Sequence, residues 1–282
     1  MRINTIYAVF LATAVMACTA SAQSARGENL EKYYTMERIR SKSGWLVSDN
    51  AAGLIFNRAS LSTADVSYDF EEGGLRNVGD DARTHKTGIQ SESFQRWDRL
   101  SFYGKLGYDY TAGSDRNWAG NTHLYTSPMN VGDSVPGNTR NETYLLKAGV
   151  AYQMGNWVIG LQGEYENQSL AKRRDARNKT TYMHLSVRPG VMFTSKTVDA
   201  GLNFTYERTT ETVNYLSFGT NEQAIPLYLF EGLWFYMAEL VPSGSNSNPI
   251  HYKESEYGGA AQFELKFSPR VSLFNQFSAI YG

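Results

Sequence analysis

The chain has 282 residues, 27 basic and 28 acidic, so it carries no basic excess of the kind a nucleic-acid partner requires. Its single cysteine, Cys18, rules out a disulfide framework or a thiolate metal centre. Mean hydropathy is −0.43 although Tyr, Phe and Gly are abundant (19, 14 and 25 residues), a balance that suits a large soluble β-protein or a membrane β-barrel.

Residues 1–22 read as an export signal. Arg2 is their only charge, Ile6 to Met16 form the apolar run, and Ala20-Ser21-Ala22 supplies the small-residue cleavage pattern. That run is shorter than the ~20 apolar residues of a spanning helix, and no later run reaches that length. Val15-Met16-Ala17-Cys18 also offers a looser lipoprotein pattern, with Cys18 as the acylated residue. With Arg2 set aside, 26 basic residues face 28 acidic ones, a net charge of −2.

Residues 23–62 have mixed character, with a short helix predicted near Leu30 to Ile39, and read as a periplasmic or lumen segment. From residue 63 to 282 the chain alternates with period two. Ala64, Val66, Tyr68 and Phe70 interleave with Thr63, Asp65, Ser67 and Asp69, and a weaker strand follows over Thr87 to Arg96. Leu100, Phe102, Leu106, Tyr108 and Tyr110 then alternate with Arg99, Ser101, Lys105 and Asp109.

The stretch "ETYLLKAGVAYQMGNWVIGLQGEYEN" predicts a hairpin about Gly155-Asn156, because Gly-Asn is a favoured two-residue turn. Met154 then faces Trp157, Tyr152 faces Ile159 and Val150 faces Leu161, while Lys147 meets Glu164 on the other side. A second hairpin is predicted at Ser195-Lys196, with Phe193 opposite Val198, Val187 opposite Phe204 and His184 opposite Glu207. A bulge is expected at Pro189, which cannot donate to a ladder. A third hairpin turns at Ser268-Pro269-Arg270, pairing Phe267 with Val271 and Leu265 with Leu273.

Short turns at one end alternate with longer connections near residues 71–86, 112–141, 169–179 and 210–255 at the other. Outer-membrane barrels sort their connections this way, with short periplasmic turns and long outer loops. The fold class expected is all-β, a transmembrane antiparallel up-and-down barrel with Tyr144, Leu146, Val150, Trp157, Ile159 and Leu161 towards lipid. Tyr144, Tyr152, Trp157 and Tyr165 lie near strand ends, as interfacial girdles do. About nine strands are present, an odd number for a bacterial single-chain barrel. The sequence therefore predicts the front part of a longer protein, or an edge met by another chain.

"GWLVSDNAAGL" (Gly44 to Leu54), "SPMNVGDSVPGNTRNETYLL" (Ser127 to Leu146) and "VRPGVMF" (Val187 to Phe193) resemble segments of a Bacteroidetes-type outer-membrane β-barrel family of unknown function. The resemblance implies location and fold and supplies no activity.

The expected lumen lining is Arg99, Lys105, Lys147, Arg188 and Lys266 against Asp109, Glu164, Asp199, Glu207 and Glu264, with His184 among them. His184-Leu185-Ser186 invites comparison with a lipid hydrolase, in which a histidine two residues from a serine activates its hydroxyl. Both face the polar side, away from arriving acyl chains, so no enzyme site is expected. No metal-ligand spacing or cofactor fingerprint occurs. "AKRRDARNK" (Ala171 to Lys179) offers Lys172, Arg173, Arg174 and Arg177 to lipopolysaccharide phosphates. Ala224 to Leu240 is apolar on all sides and suits packing within the protein or a glycan platform. The expected function is a passive pore or structural barrel of the outer membrane, with a lipid hydrolase and a surface glycan binder as alternatives. Outer-membrane lipids, lipopolysaccharide and the barrel assembly machinery are the expected partners.

Overall fold

The structure, a computed structural model, describes residues 36–282 apart from 42, 125–126, 128–129, 219–223, 231–234, 243 and 269–270. The export signal, Cys18, most of the helix predicted over Leu30 to Ile39, and Pro269-Arg270 lie outside the described residues.

Two short helices, α1 (Met36–Arg40) and α2 (Gly44–Val47), and a 3-10 helix (Ala51–Phe56) precede the strands. The main sheet holds β1 (Leu61–Glu72), β2 (Arg83–Trp97), β3 (Leu100–Arg116), β5 (Gly137–Met154), β6 (Trp157–Lys172), β7 (Arg177–Phe193), β8 (Val198–Leu216), β11 (Ile250–Ser268) and β12 (Val271–Tyr281). These nine strands pair antiparallel in that order, an up-and-down meander with β1 and β12 at its edges. A second sheet joins β4 (Asn130–Gly132), β9 (Ile225–Phe230) and β10 (Tyr236–Val241), with β9 in the middle.

The β5–β6 hairpin has the register its alternation dictates. Met154 pairs with Trp157, Val150 with Leu161 and Lys147 with Glu164, and Gly155 takes φ +61, the left-handed value a Gly-first turn needs. The β7–β8 hairpin departs from expectation by two residues: Phe193 pairs with Ala200 and Val187 with Tyr206. Ser195 is the cause. Its Oγ accepts from the amide of Val198 at 3.0 Å, and its own amide donates to Asp199 Oδ1 at 3.0 Å, which holds a longer turn. A two-residue slip keeps every side chain on its predicted face.

No bulge forms at Pro189. Pairing to β6 and β8 keeps one register on both sides of it, so the missing N–H interrupts the ladder without inserting a residue. A bulge does occur between Lys266 and Ser268, so Val271 pairs with Ser268 and not Phe267, while Leu265 still pairs with Leu273.

One face of the sheet carries the aliphatic and aromatic residues. Trp157, Ile159, Leu161 and Tyr165 on β6, and Leu202 and Phe204 on β8, are exposed there. Aromatic pairs bound this band at both ends. Trp97 with Phe102 and Trp157 with Phe193 lie at the short-turn end, with centroids 5.4 and 5.1 Å apart. Tyr108 with Tyr144 and Tyr206 with Tyr257 lie towards the long connections, at 5.0 and 5.2 Å. The eight residue-to-residue steps from Trp157 to Tyr165 rise about 27 Å along the strand, or ~20 Å of height at a ~40° tilt, most of the ~25 Å apolar band of a membrane barrel.

The other, inner face receives residues 36–57 near the short-turn end. Trp45 is buried, its ring edge-on to Phe274 at 5.3 Å, and its indole N–H donates to Glu264 Oε2 at 2.9 Å. Asn50 caps the 3-10 helix by accepting from the amide of Ala52. Its Nδ2 donates to the carbonyls of Val191 and Leu202 and to Gln262 Oε1, at 3.1, 3.2 and 3.1 Å. Gly160 admits this segment: a Cβ there would lie 2.2 Å from the Ala52 nitrogen. Met36, Ile39, Leu54 and Ile55 complete the core with Phe94, Tyr103, Val158 and Met192.

Asn50→Ala removes a cap and every Nδ2 bond, and should lower unfolding stability by about 2 kcal/mol. Urea titration of the reconstituted protein checks this, and an unchanged midpoint would show that the segment contributes nothing to the fold.

Candidate functional site

The inner face is polar wherever residues 36–57 do not cover it, and its charges pair across neighbouring strands. Lys147 Nζ lies 2.9 Å from Glu164 Oε2, and Lys86 Nζ 3.2 Å from Asp109 Oδ2. Arg188 bridges Glu207 at 2.7 Å and Asp49 at 3.3 Å, tying β7 to β8 and to the N-terminal segment. Lys266 reaches the fully buried Asp199 at 2.6 Å. Glu264 is occupied by Trp45. Lys105 lies opposite Lys147 on β5 and Glu92 on β2, and among the described residues it makes no ion pair.

Arg99 is not a wall residue. It sits with Asp98 in the β2–β3 turn, its side chain mostly exposed, because the strands end at Trp97 and restart at Leu100. The sequence alternation ran one residue past the turn.

His184 and Ser186 share the inner face without joining in a relay. The two-residue slip places Thr209 opposite His184, with His184 Nδ1 3.0 Å from Thr209 Oγ1, and moves Glu207 opposite Ser186. Ser186, buried, donates its hydroxyl to Glu207 Oε1 at 3.2 Å. Its hydroxyl is thus bonded to a carboxylate that Arg188 also holds, and its partner is Glu207 and not His184.

Towards the long connections, the described residues between 117 and 136 fold over the inner face. Buried Glu211 accepts from Asn121 Nδ2 and from the amide and hydroxyl of Thr122, each at 2.7 Å. Thr180 and Asn178 both donate to the Gly120 carbonyl. Lys172 donates to Asp133 Oδ2 at 2.5 Å, with both side chains buried. Asp81 accepts from Thr139 Oγ1 at 2.7 Å and lies 3.6 Å from Arg116. Burial pushes the Asp133 and Asp81 carboxyls above the usual carboxylate range, while Lys172 and Thr139 respectively pull them back. Above this cap, the small sheet buries Leu227 and Val241 against Val131, Val213 and Tyr215. Its other face groups Trp118, Tyr228, Phe230 and Tyr236, with Trp118 and Tyr228 centroids 5.2 Å apart. The described strands of the apolar Ala224 to Leu240 stretch, β9 and most of β10, thus pack on one side and show an aromatic face on the other.

Residues 51–281 match the family described as "Family of unknown function (DUF6850)". The chain belongs to that family. Among solved structures, it is similar to the Pseudomonas putida toluene transporter TodX. That likeness has 9% identity, 88% of this chain and 80% of the other covered, and a TM-score of 0.29, too loose to equate the two folds. No curated protein matches.

Two features of the site went unread in the sequence. Glu211 has the same parity as Asp199 and Glu207, a signal that would have placed it inward had β8 been followed to Leu216. The sequence places Lys172 in the connection near residues 169–179, but it ends β6 and is consumed by Asp133, and only residues 173–176 separate β6 from β7.

Replacing one partner of the buried pair leaves the other charge unmatched, at a cost of about 3–5 kcal/mol. Lys172→Met should therefore expose residues 117–136 to protease, and adding Asp133→Leu should restore protection. The raised carboxyls give a pH sign. The folded chain holds these protons to higher pH than the unfolded chain, so their contribution to stability falls as pH rises through the folded values. Cleavage of residues 117–136 by a pH-tolerant protease should be no faster at pH 5 than at pH 7.5; faster cleavage at pH 5 contradicts the assignment.

Proposed function

We propose that this chain forms the wall of an outer-membrane β-barrel whose interior is closed by its own N-terminal segment and by the described residues between 117 and 136. The observation that carries this reading is the outward apolar band, bounded by aromatic pairs at both ends, set against ion-paired charges on the inner face. A charge turned to lipid costs about 2–4 kcal/mol near the midplane, and the strands avoid this by strict parity. Short turns face the periplasm and the long connections face outward, in the envelope of a Gram-negative, Bacteroidetes-type cell. Unpaired edge groups in hydrocarbon cost several kcal/mol apiece, so β1 and β12 need strand partners there, from the same polypeptide or another. The assembly machinery for such barrels and the lipids of that membrane are the partners this reading requires.

The role is a structural barrel, or a pore that conducts only when residues 36–57 withdraw. We assign it no enzymatic activity, because Ser186 is tied to Glu207 and His184 to Thr209. The aromatic face of Trp118, Tyr228, Phe230 and Tyr236 favours a second reading, surface glycan binding. Replacing Trp118 and Tyr236 by Ala should abolish retention on a glycan array if that reading holds.

Gly160→Leu places a side chain where the Ala52 backbone lies and should lift the segment from the sheet. Liposome-swelling rates for a small sugar should be near background for the wild type and rise several-fold for the variant. A wild type that already conducts freely would overturn the closed interior, and a chain that stays folded and monomeric in detergent-free buffer would overturn the membrane location.

A further inference from the structure

We infer that the outward face of β7, β8 and β11 binds a phosphorylated glycolipid of the outer leaflet, with Arg208 and Lys253 holding its phosphate above an acyl groove. The inference rests on the membrane reading given above. Arg208 lies two residues beyond Tyr206, and Lys253 four before Tyr257, just past the aromatic pair that closes the apolar band. Both are exposed. Because Lys253 pairs with Thr210, the two cationic residues are diagonal neighbours on adjacent strands, their Cα atoms about 7–8 Å apart.

Among the described residues, no carboxylate forms an ion pair with either of them. The outward positions around them are Thr181 and Met183 on β7, Thr210 and Thr212 on β8, and Ser255 and His251 on β11, and Lys179 adds a further cation higher on β7. Among the described residues Lys179, Arg208 and Lys253 make no ion pair, whereas the inner face holds ion pairs such as Lys147 with Glu164, Arg188 with Glu207 and Lys266 with Asp199. Like charges placed side by side repel, and an anion between them reverses the sign. Arginine suits a phosphate, which accepts two parallel N–H bonds from its planar fork.

A second observation points to a lipid as the source of that phosphate. Below the cations, past the Tyr206–Tyr257 pair, an apolar groove of about 840 Å³ lies on the same strands and on β12. Val191, Leu202, Phe204 and Phe277 form its sides and the small residues Gly259 and Ala261 its floor. A free phosphate would use the cations and ignore the groove, whereas an amphiphile uses both. The level of the cations, at the long-connection end of the band, selects the outer leaflet, where the phosphorylated glycolipid resides.

The test uses the full chain in detergent micelles, with bisphosphorylated hexa-acyl lipid A as the probe and retention read by native mass spectrometry. Arg208→Gln with Lys253→Gln should weaken binding at least tenfold. Ala261→Trp, which fills the groove without changing charge, should weaken it about fivefold. Lys196→Gln, in the exposed turn at the opposite end, should bind as the wild type. Equal binding by the double variant, displacement by millimolar inorganic phosphate, or equal affinity for phosphatidylglycerol would each overturn the inference. Insertion of the same preparations into liposomes is measured in parallel: failure to insert sinks the membrane reading, while insertion with unchanged lipid A binding sinks this inference alone.

Discussion

Everything in this molecule depends on one constraint, that successive side chains of a strand point to opposite faces. Nine strands keep that alternation in phase, so aliphatic and aromatic residues gather on one side of the sheet and charged ones on the other. Pairing register may slip by two residues without harm, as it does between β7 and β8, but a slip of one would exchange the faces. The polar side gains by ion pairing between neighbouring strands, which turns what would be a row of isolated charges into cross-links such as Lys147 to Glu164.

The N-terminal segment acts on the same face by other means. It has little regular structure, yet its side chains reach nearly every strand of the sheet. Arg40 meets Glu92 on β2 and Tyr103 on β3, Arg96 of β2 donates to the Ile55 carbonyl, Asn50 bonds to β7, β8 and β11, and Asp49 accepts from Gln276 on β12. Backbone polarity that would be costly in an apolar interior is met here by amides and carboxylates projecting from the wall. The same logic governs the described residues between 117 and 136, which meet Glu211 of β8 and Lys172 of β6.

Much of this was legible in the sequence, and the reasons for the remainder are specific. The β5–β6 hairpin could be read residue by residue because Gly155-Asn156 admits one tight geometry. Ser195-Lys196 looked similar, but the Ser195 hydroxyl and Asp199 carboxylate stabilise a longer turn that composition alone does not announce. Strand ends were set too short at the long-connection side, because the alternation of apolar with polar residues fades there. Stretches such as Arg177 to Thr181 and Thr209 to Glu211 continue the ladder with polar side chains on both faces. The individual charges of the inner face were mostly identifiable by parity. Their pairings, and the occupation of that face by residues 36–57, depend on contacts between positions up to 227 apart in sequence.

The reach of Asn50 has a temporal consequence. Its three Nδ2 acceptors belong to β7, β8 and β11, all made long after it, so a residue synthesised early cannot settle until the sheet beyond it has been threaded. The inner face is therefore covered last, by the part of the described chain that emerged first.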